Sequence, residues 1–245
     1  MDSLLLSRQG IRILLITSIF YFYTAGIASA GITPVDQLRE VRVWATASNQ
    51  GEYDEQEGFA SAPDFEPFTD GVSVEASVIG PPAAEASASA EQDSFFGTNV
   101  IEAHGLASCS AWNEFFGGEE SNASCNSSSD FGIVFTVDQS STWRLTGSLY
   151  IEGVYDNVVI TFFEETLELL YVELNYTGGP ESIDETFQLT PGKHYNLTAT
   201  AYSCSVPAGG MDQAAASFDI IFIPEPTTLS ILVIGSMVIL SKRRH

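Results

Sequence analysis

Phe131-Gly132-Ile133-Val134-Phe135-Thr136-Val137 and Trp143-Arg144-Leu145-Thr146-Gly147-Ser148-Leu149-Tyr150-Ile151 decide the fold class of this chain. Large apolar side chains recur at alternate positions, the period of a strand with one face in a core and the other toward solvent. The same alternation, broken by Gly, Asp and Asn, returns over residues 100–107, 158–164, 167–175, 186–189, 195–203 and 215–223. Upstream it is seen over 41–47 and 72–78. Residues 163–172 also fit a short buried helix, but their neighbours favour a strand. Strands spaced by roughly a dozen residues predict an all-β fold, an antiparallel β-sandwich of jelly-roll type. Pro191-Gly192 predicts a turn, proline presetting one dihedral angle and glycine free to take the opposite sign.

Between the two earlier strands and the later ones the reading is different. Residues 51–71 are acidic and read as a loop. The Ala/Ser-rich segment near 81–94, with Pro81-Pro82-Ala83-Ala84-Glu85-Ala86-Ser87-Ala88-Ser89-Ala90, reads as an inserted loop, a linker or the edge of a sheet.

The 245 residues carry a formal charge of -23. Five of the nine basic residues are terminal, at Arg8, Arg12, Lys242, Arg243 and Arg244. From Gly31 to Pro226 only Arg39, Arg42, Arg144 and Lys193 oppose 31 of the 32 acidic residues. Such a surface repels phosphate backbones, so nucleic acid is excluded as a partner. It favours solubility and attracts cations.

Arg8 and Arg12 precede an apolar run over residues 13–27 that closes on Ala28-Ser29-Ala30, the small-residue spacing of a signal peptidase site. Residues 1–30 are thus expected to be a signal peptide with a helical apolar part, cleaved after Ala30. Residues 31–223 are the expected exported acidic β-sandwich. At the other end, Pro224-Glu225-Pro226 stops the preceding strand. Residues 229–240 are apolar but fall short of the roughly 20 residues that a spanning helix needs. Lys242, Arg243 and Arg244 form a basic cluster that resists translocation. These features predict a C-terminal transmembrane helix with the sandwich outside.

The tail over 224–245 resembles the PEP-CTERM sorting signal of bacteria, carried by Pro224, Glu225 and Pro226, the apolar segment, and Lys242 to Arg244. The resemblance implies recognition by a membrane transpeptidase-like enzyme, exosortase, and a place in bacteria that make exopolysaccharide. A eukaryotic glycolipid-anchor signal is the rival, favoured by sequons at Asn122, Asn126, Asn175 and Asn196 and disfavoured by the basic end.

Reactive chemistry is sparse. The chain has neither Gly-x-Ser-x-Gly nor His-Glu-x-x-His, and His104 and His194 are the only histidines of the exported part. Adjacent carboxylates such as Glu164 and Glu165 point to opposite faces of a strand. No catalytic, cofactor-binding or metal residue is therefore assigned, and a structural calcium in acidic loops such as Asp54-Glu55-Gln56-Glu57 is the open option. Cys109 and Cys125 are candidates for a disulfide, with buried unbonded thiols the alternative and Cys204 left over. Trp44, Trp112, Trp143, Tyr150, Tyr155 and Tyr171 are candidates for a sugar-stacking platform or a core. Trp143 is expected in the core and Trp112 exposed in a loop.

The expected protein is not an enzyme. It is exported, membrane-anchored at the cell surface or released to the matrix after processing, and has a structural or adhesive role in an exopolysaccharide layer. The alternatives are a non-catalytic carbohydrate-binding module and a secreted hydrolase. Its expected partners are an exosortase-like enzyme, the membrane through the C-terminal helix, and extracellular polysaccharide.

Overall fold

The alternation is realised as fourteen strands among the residues described by the computed structural model, which are 30–116, 119–166, 169–176 and 180–225. They are β1 (Ile32–Ser48), β2 (Tyr53–Ser61), β3 (Phe68–Val78), β4 (Ala84–Gly97), β5 (Val100–Asn113), β6 (Phe115–Phe116), β7 (Glu119–Glu120), β8 (Asn122–Val137), β9 (Ser141–Ile151), β10 (Asn157–Glu164), β11 (Leu169–Tyr176), β12 (Glu181–Leu189), β13 (Tyr195–Ser205) and β14 (Gly210–Pro224). Twelve of them build two six-stranded sheets, ordered β11-β10-β13-β8-β1-β2 and β12-β9-β14-β5-β4-β3; β6 and β7 pair with each other. All pairings are antiparallel, and residues Gly31–Pro224 form one compact unit. The result is a β-sandwich. The expected signal peptide, with Ala28, and the tail from Pro226, with Lys242, Arg243 and Arg244, lie outside the described residues. Among the described residues, no helix is long and apolar enough to cross a membrane.

Two segments differ from expectation. The acidic 51–71 loop contains all of β2 and the start of β3. As the edge of its sheet, β2 keeps Glu55 and Glu57 exposed on its outer face and Asp54 half-buried on the other, charges that discourage edge-to-edge pairing. The Ala/Ser segment is no linker and no sheet edge: β4 lies between β3 and β5. Its Ala84, Ala86, Ala88 and Ala90 are buried while Glu85 and Ser87 face solvent, an alternation that small side chains made faint. The serine-rich first half of β8 carries the same faint alternation.

The core has two halves of different thickness. Near the β8–β9 turn it is aromatic, with Phe135, Phe162 and Tyr195 of one sheet facing Trp143, Phe187 and Phe222 of the other. Ring centroids lie 4.6 Å apart for Phe162 and Phe187 and 5.2 Å apart for Trp143 and Phe222. Trp143 is in the core, as expected. Across the β1, β3, β4 and β5 side the core is built from Val41, Val43, Ala45, Ala47, Ala86, Ala88, Cys109, Ala111 and Cys125. Alanine contributes no methylene arm, so there the sheets come close together. A buried cation closes the same side toward the β8–β9 end. Arg39 is 1% exposed, its guanidinium 4.6 Å from the Phe96 ring centroid and bonded to Gln37, to Ser94 and to the Asp64 carbonyl. Burial lowers its pKa from the ordinary guanidinium value, and the Asp64 charge opposes that shift.

Both ends of the sandwich emerge at one pole. Ile32 pairs with Val137 and Pro224 with Trp143, the residues flanking the β8–β9 turn. The Gly31 amide donates to Asp138 Oδ1 at 2.7 Å. Pro224 is the last residue of β14, where proline has no ladder donor to continue the strand. The predicted Pro191-Gly192 turn is present, with Gly192 at φ 79°.

Gly105 measures how tightly the sheets meet. A Cβ there would lie 2.4 Å from the Phe218 ring and 2.6 Å from Ser129 Oγ on the facing sheet. Gly105→Ala is expected to lower unfolding free energy by about 1–3 kcal/mol in urea melts, the usual cost of overpacking. A neutral change would show that the sheets part freely.

Candidate functional site

Strands β1 and β2 turn one face inward and present the other to solvent. Val41, Val43, Ala45 and Ala47 are buried, which places Arg42, Trp44, Thr46 and Ser48 on the outer face. The antiparallel register sets Phe59 opposite Arg42, Glu57 opposite Trp44, and Tyr53 opposite Ser48. On the other side of β1, Asn126 of β8 is opposite Trp44. Three rings, Tyr53, Trp44 and Phe59, thus stand along the last two strands of a sheet. Tyr53 and Phe59 are six residues apart on one face, or roughly 20 Å of strand.

An open trough of about 820 Å³ lies over this face, lined by Arg42, Trp44, Glu57, Phe59 and Asn126 with the backbone of Val43 and Gly58 beneath. Its side chains hold one another in place. Trp44 Nε1–H donates to Glu55 Oε1 at 2.7 Å, and the Tyr53 hydroxyl donates to Glu55 Oε2 at 2.8 Å. Glu55 therefore braces two of the three rings, and those two bonds depress its pKa below the ordinary 4.5. The Arg42 guanidinium sits 5.3 Å from the Phe59 centroid and pairs with Glu40. Phe59 is 57% exposed, so its outer face is free to meet a ligand.

Such an arrangement suits an apolar, hydroxyl-rich ligand. Ring faces accept the C–H face of a sugar, while a carboxylate, an amide and a guanidinium offer hydrogen bonds of both senses to its hydroxyls. The trough is shallow and open, suited to a chain passing over it rather than to an enclosed reaction.

The other candidates scatter. Trp112 is 37% exposed, but in strand β5 rather than a loop, and it shares the outer face of the second sheet with Tyr150. Tyr155 is in the β9–β10 connection, and the side chain of Tyr171 is not among those described. The six aromatics named from the sequence therefore form no common platform. Phe59, Arg42 and Tyr53 complete the Trp44 site instead; Phe59 and Tyr53 fall within the supposed acidic loop, and Arg42 within the strand expected over 41–47. A second hollow, about 510 Å³, lies on the outer face of the other sheet among Ser73, Ser87, Ser89, Ser108 and Ser110, flanked by Glu75 and Glu152, and has no ring.

Other named residues have ordinary partners. His194 lies 3.9 Å from Glu165, the buried Glu164 pairs with Lys193, and Asp184 accepts two bonds from Arg144. Of the acids of β2, Glu55 and Glu57 share the outer face, while Asp54 on the other face accepts from the Ser77 amide at 2.9 Å. Among the described residues no group of three or more His, Cys, Asp or Glu could hold a metal ion. Cys109, Cys125 and Cys204 are free thiols. Ala30 precedes β1, and Glu225 follows Pro224 beyond β14.

No protein-family model matches the sequence, and no curated protein matches it. Among solved structures, the GH31 alpha-xylosidase of Xanthomonas citri aligns at 10% identity with a TM-score of 0.19. The alignment covers 80% of this chain and 28% of the enzyme, a likeness too slight to bear on function.

The Glu55 brace makes the platform sensitive to acid. Its folded pKa is depressed, so its contribution is present above the unfolded value and lost as pH falls through the folded one. Tryptophan fluorescence is expected to hold steady from pH 7 to about 5 and to shift below the ordinary carboxylate range. Glu55→Gln, which cannot ionise, is expected to abolish that step. A step of equal size in the variant would assign it to another group.

Proposed function

We propose that this chain is an exported, non-catalytic polysaccharide-binding protein of the bacterial cell surface or extracellular matrix. The Trp44 trough carries the reading: the rings of Trp44 and Phe59, an amide and charged groups on an open face of a sandwich, with Tyr53 further along the same face. The charge of the body narrows the ligand. With 31 acidic residues against four basic ones between Gly31 and Pro226, it repels uronate and sulfate chains, which favours neutral glycans. A neutral exopolysaccharide bound at this face gives the sandwich an adhesive or structural role in the polymer layer.

The sorting part of the proposal rests on the ends of the sequence. Arg8, Arg12 and Ala28-Ser29-Ala30 support cleavage to a mature start at Gly31. Pro224, Glu225 and Pro226, the apolar 229–240 and Lys242 to Arg244 support PEP-CTERM sorting by an exosortase-like enzyme, with a membrane helix before processing. A sandwich whose ends leave at one pole fits attachment at that pole. The connectivity supports the finer jelly-roll assignment, since from β8 onward the chain passes repeatedly between the two sheets.

Two measurements test the halves separately. In affinity electrophoresis against neutral and anionic polysaccharides, the protein is expected to be retarded by a neutral polymer. Trp44→Ala is expected to weaken that retardation by roughly tenfold or more, as loss of a stacking ring in a binding site does, with the β-sheet circular dichroism unchanged. Equal binding by the variant rules out the trough. Terminal-peptide mass spectrometry on membrane and matrix fractions is expected to find a chain starting at Gly31. Replacing Pro224, Glu225 and Pro226 by alanine is expected to stop loss of the tail, and unchanged processing would remove the sorting role.

A further inference from the structure

Cys109 and Cys125 lie on facing sheets, one on β5 and the other on β8, and are 4% and 1% exposed. Around them the two sheets almost touch. Ser127 Oγ of β8 donates to the Ser108 carbonyl of β5 at 3.1 Å, and Cys109 Sγ donates to the Ser203 carbonyl of β13 at 3.5 Å. A serine arm reaches only about 2.4 Å beyond its Cα, so backbone and backbone are no more than about 6 Å apart there, where stacked sheets usually sit about 10 Å apart. A disulfide joins Cα atoms about 4.4–6.8 Å apart, a span that sheets packed this closely permit between inward residues. Cys109 Sγ lies 3.8 Å from Ser127 Oγ, two residues along β8 from Cys125 on the same buried face, and both cysteines belong to one core cluster.

We propose that Cys109 and Cys125 form a disulfide that staples the two sheets at the thinnest part of the core, made by exchange with an external disulfide such as oxidised glutathione. One protein thiolate attacks the external disulfide, forming a mixed disulfide and expelling one thiolate. The second protein thiolate attacks the protein sulfur of that intermediate and releases the other. The two protein thiols lose two protons and two electrons, and the external disulfide becomes two thiols. In the reduced pair Cys109 is the more acidic group, because the Cys125 hydrogen bond stabilises its thiolate.

Cys204 is not a competitor for Cys125. In register it is Ser205 that pairs with Cys125, and Ser205 shares the buried face; Cys204, next to it, projects from the opposite face of the sheet. The bridge closes a short stretch of chain, residues 109–125, yet links strands of different sheets. It is independent of the glycan reading, and only its occurrence in the cell depends on export to an oxidising compartment.

The full chain, solubilised in detergent, is unfolded, refolded in a graded glutathione redox series, alkylated under denaturing conditions and read by intact mass and peptide mapping. The expected oxidised product takes one alkyl group, at Cys204, and yields a linked Cys109–Cys125 peptide pair; reduction restores three alkylation sites. Its melting midpoint is expected about 5–10 °C above that of the reduced form. Cys204→Ser is expected to keep the bridge and take no alkyl group. Three alkyl groups without reductant across the whole series, or a linked pair containing Cys204, overturns the assignment. Because the series uses no cellular compartment, that result leaves export untouched, whereas a bridge formed in vitro by a chain recovered reduced from its own cells supports the staple and counts against export.

Discussion

The rest of the structure depends on the close approach of two sheets over a floor of alanine, serine and cysteine. Sandwich cores are ordinarily filled by interdigitating branched and aromatic side chains. On the β1, β4 and β5 side of this one, Ala45, Ala88, Cys109 and Cys125 leave so little between the sheets that a serine hydroxyl reaches the opposite backbone. Less apolar area is buried per residue there, and hydrogen bonds between sheets take up part of the holding. The aromatic half, around Phe162, Trp143 and Phe222, carries the larger hydrophobic contribution.

Packing of this kind constrains the outer faces as well. Where inward positions are small, β1 offers four outward positions, Arg42, Trp44, Thr46 and Ser48, beside those of β2. Trp44 and Phe59 are outward because Val43 and Ala45 are inward; a shift of one residue in register would bury the rings and expose the valines. The edge position of β2 explains why an aromatic stripe can stand beside so many carboxylates. Glu55 does structural work for the rings, and Glu57 remains available along the trough.

A polar line runs through the interior between the two halves. Arg39 is held by two rings and three acceptors, Gln92 reaches Ser129, and Ser127 and Ser203 surround the thiol pair. Burying these groups is costly unless each is partnered; the short cross-sheet distances supply most of the partners, while Gln92 Oε1 and Ser203 Oγ have none among the described residues. The same distances bring the thiols together.

By itself the sequence determined the fold class and the course of most strands from β8 onward, because large alternating side chains advertise a buried face. It determined the net charge, the inward Trp143 and the turn at Gly192, each a property of neighbouring residues. It left β2, β4 and the first half of β8 unread, since acidic edge strands and Ala/Ser strands carry little hydrophobic contrast. Only the tertiary structure decided that Trp44 joins Phe59, Arg42 and Asn126 rather than Tyr150 or Tyr155, and that Cys109 meets Cys125 while Cys204 faces away. Those partnerships follow from which strands pair and in what register, long-range choices set by packing across two sheets that no local pattern records.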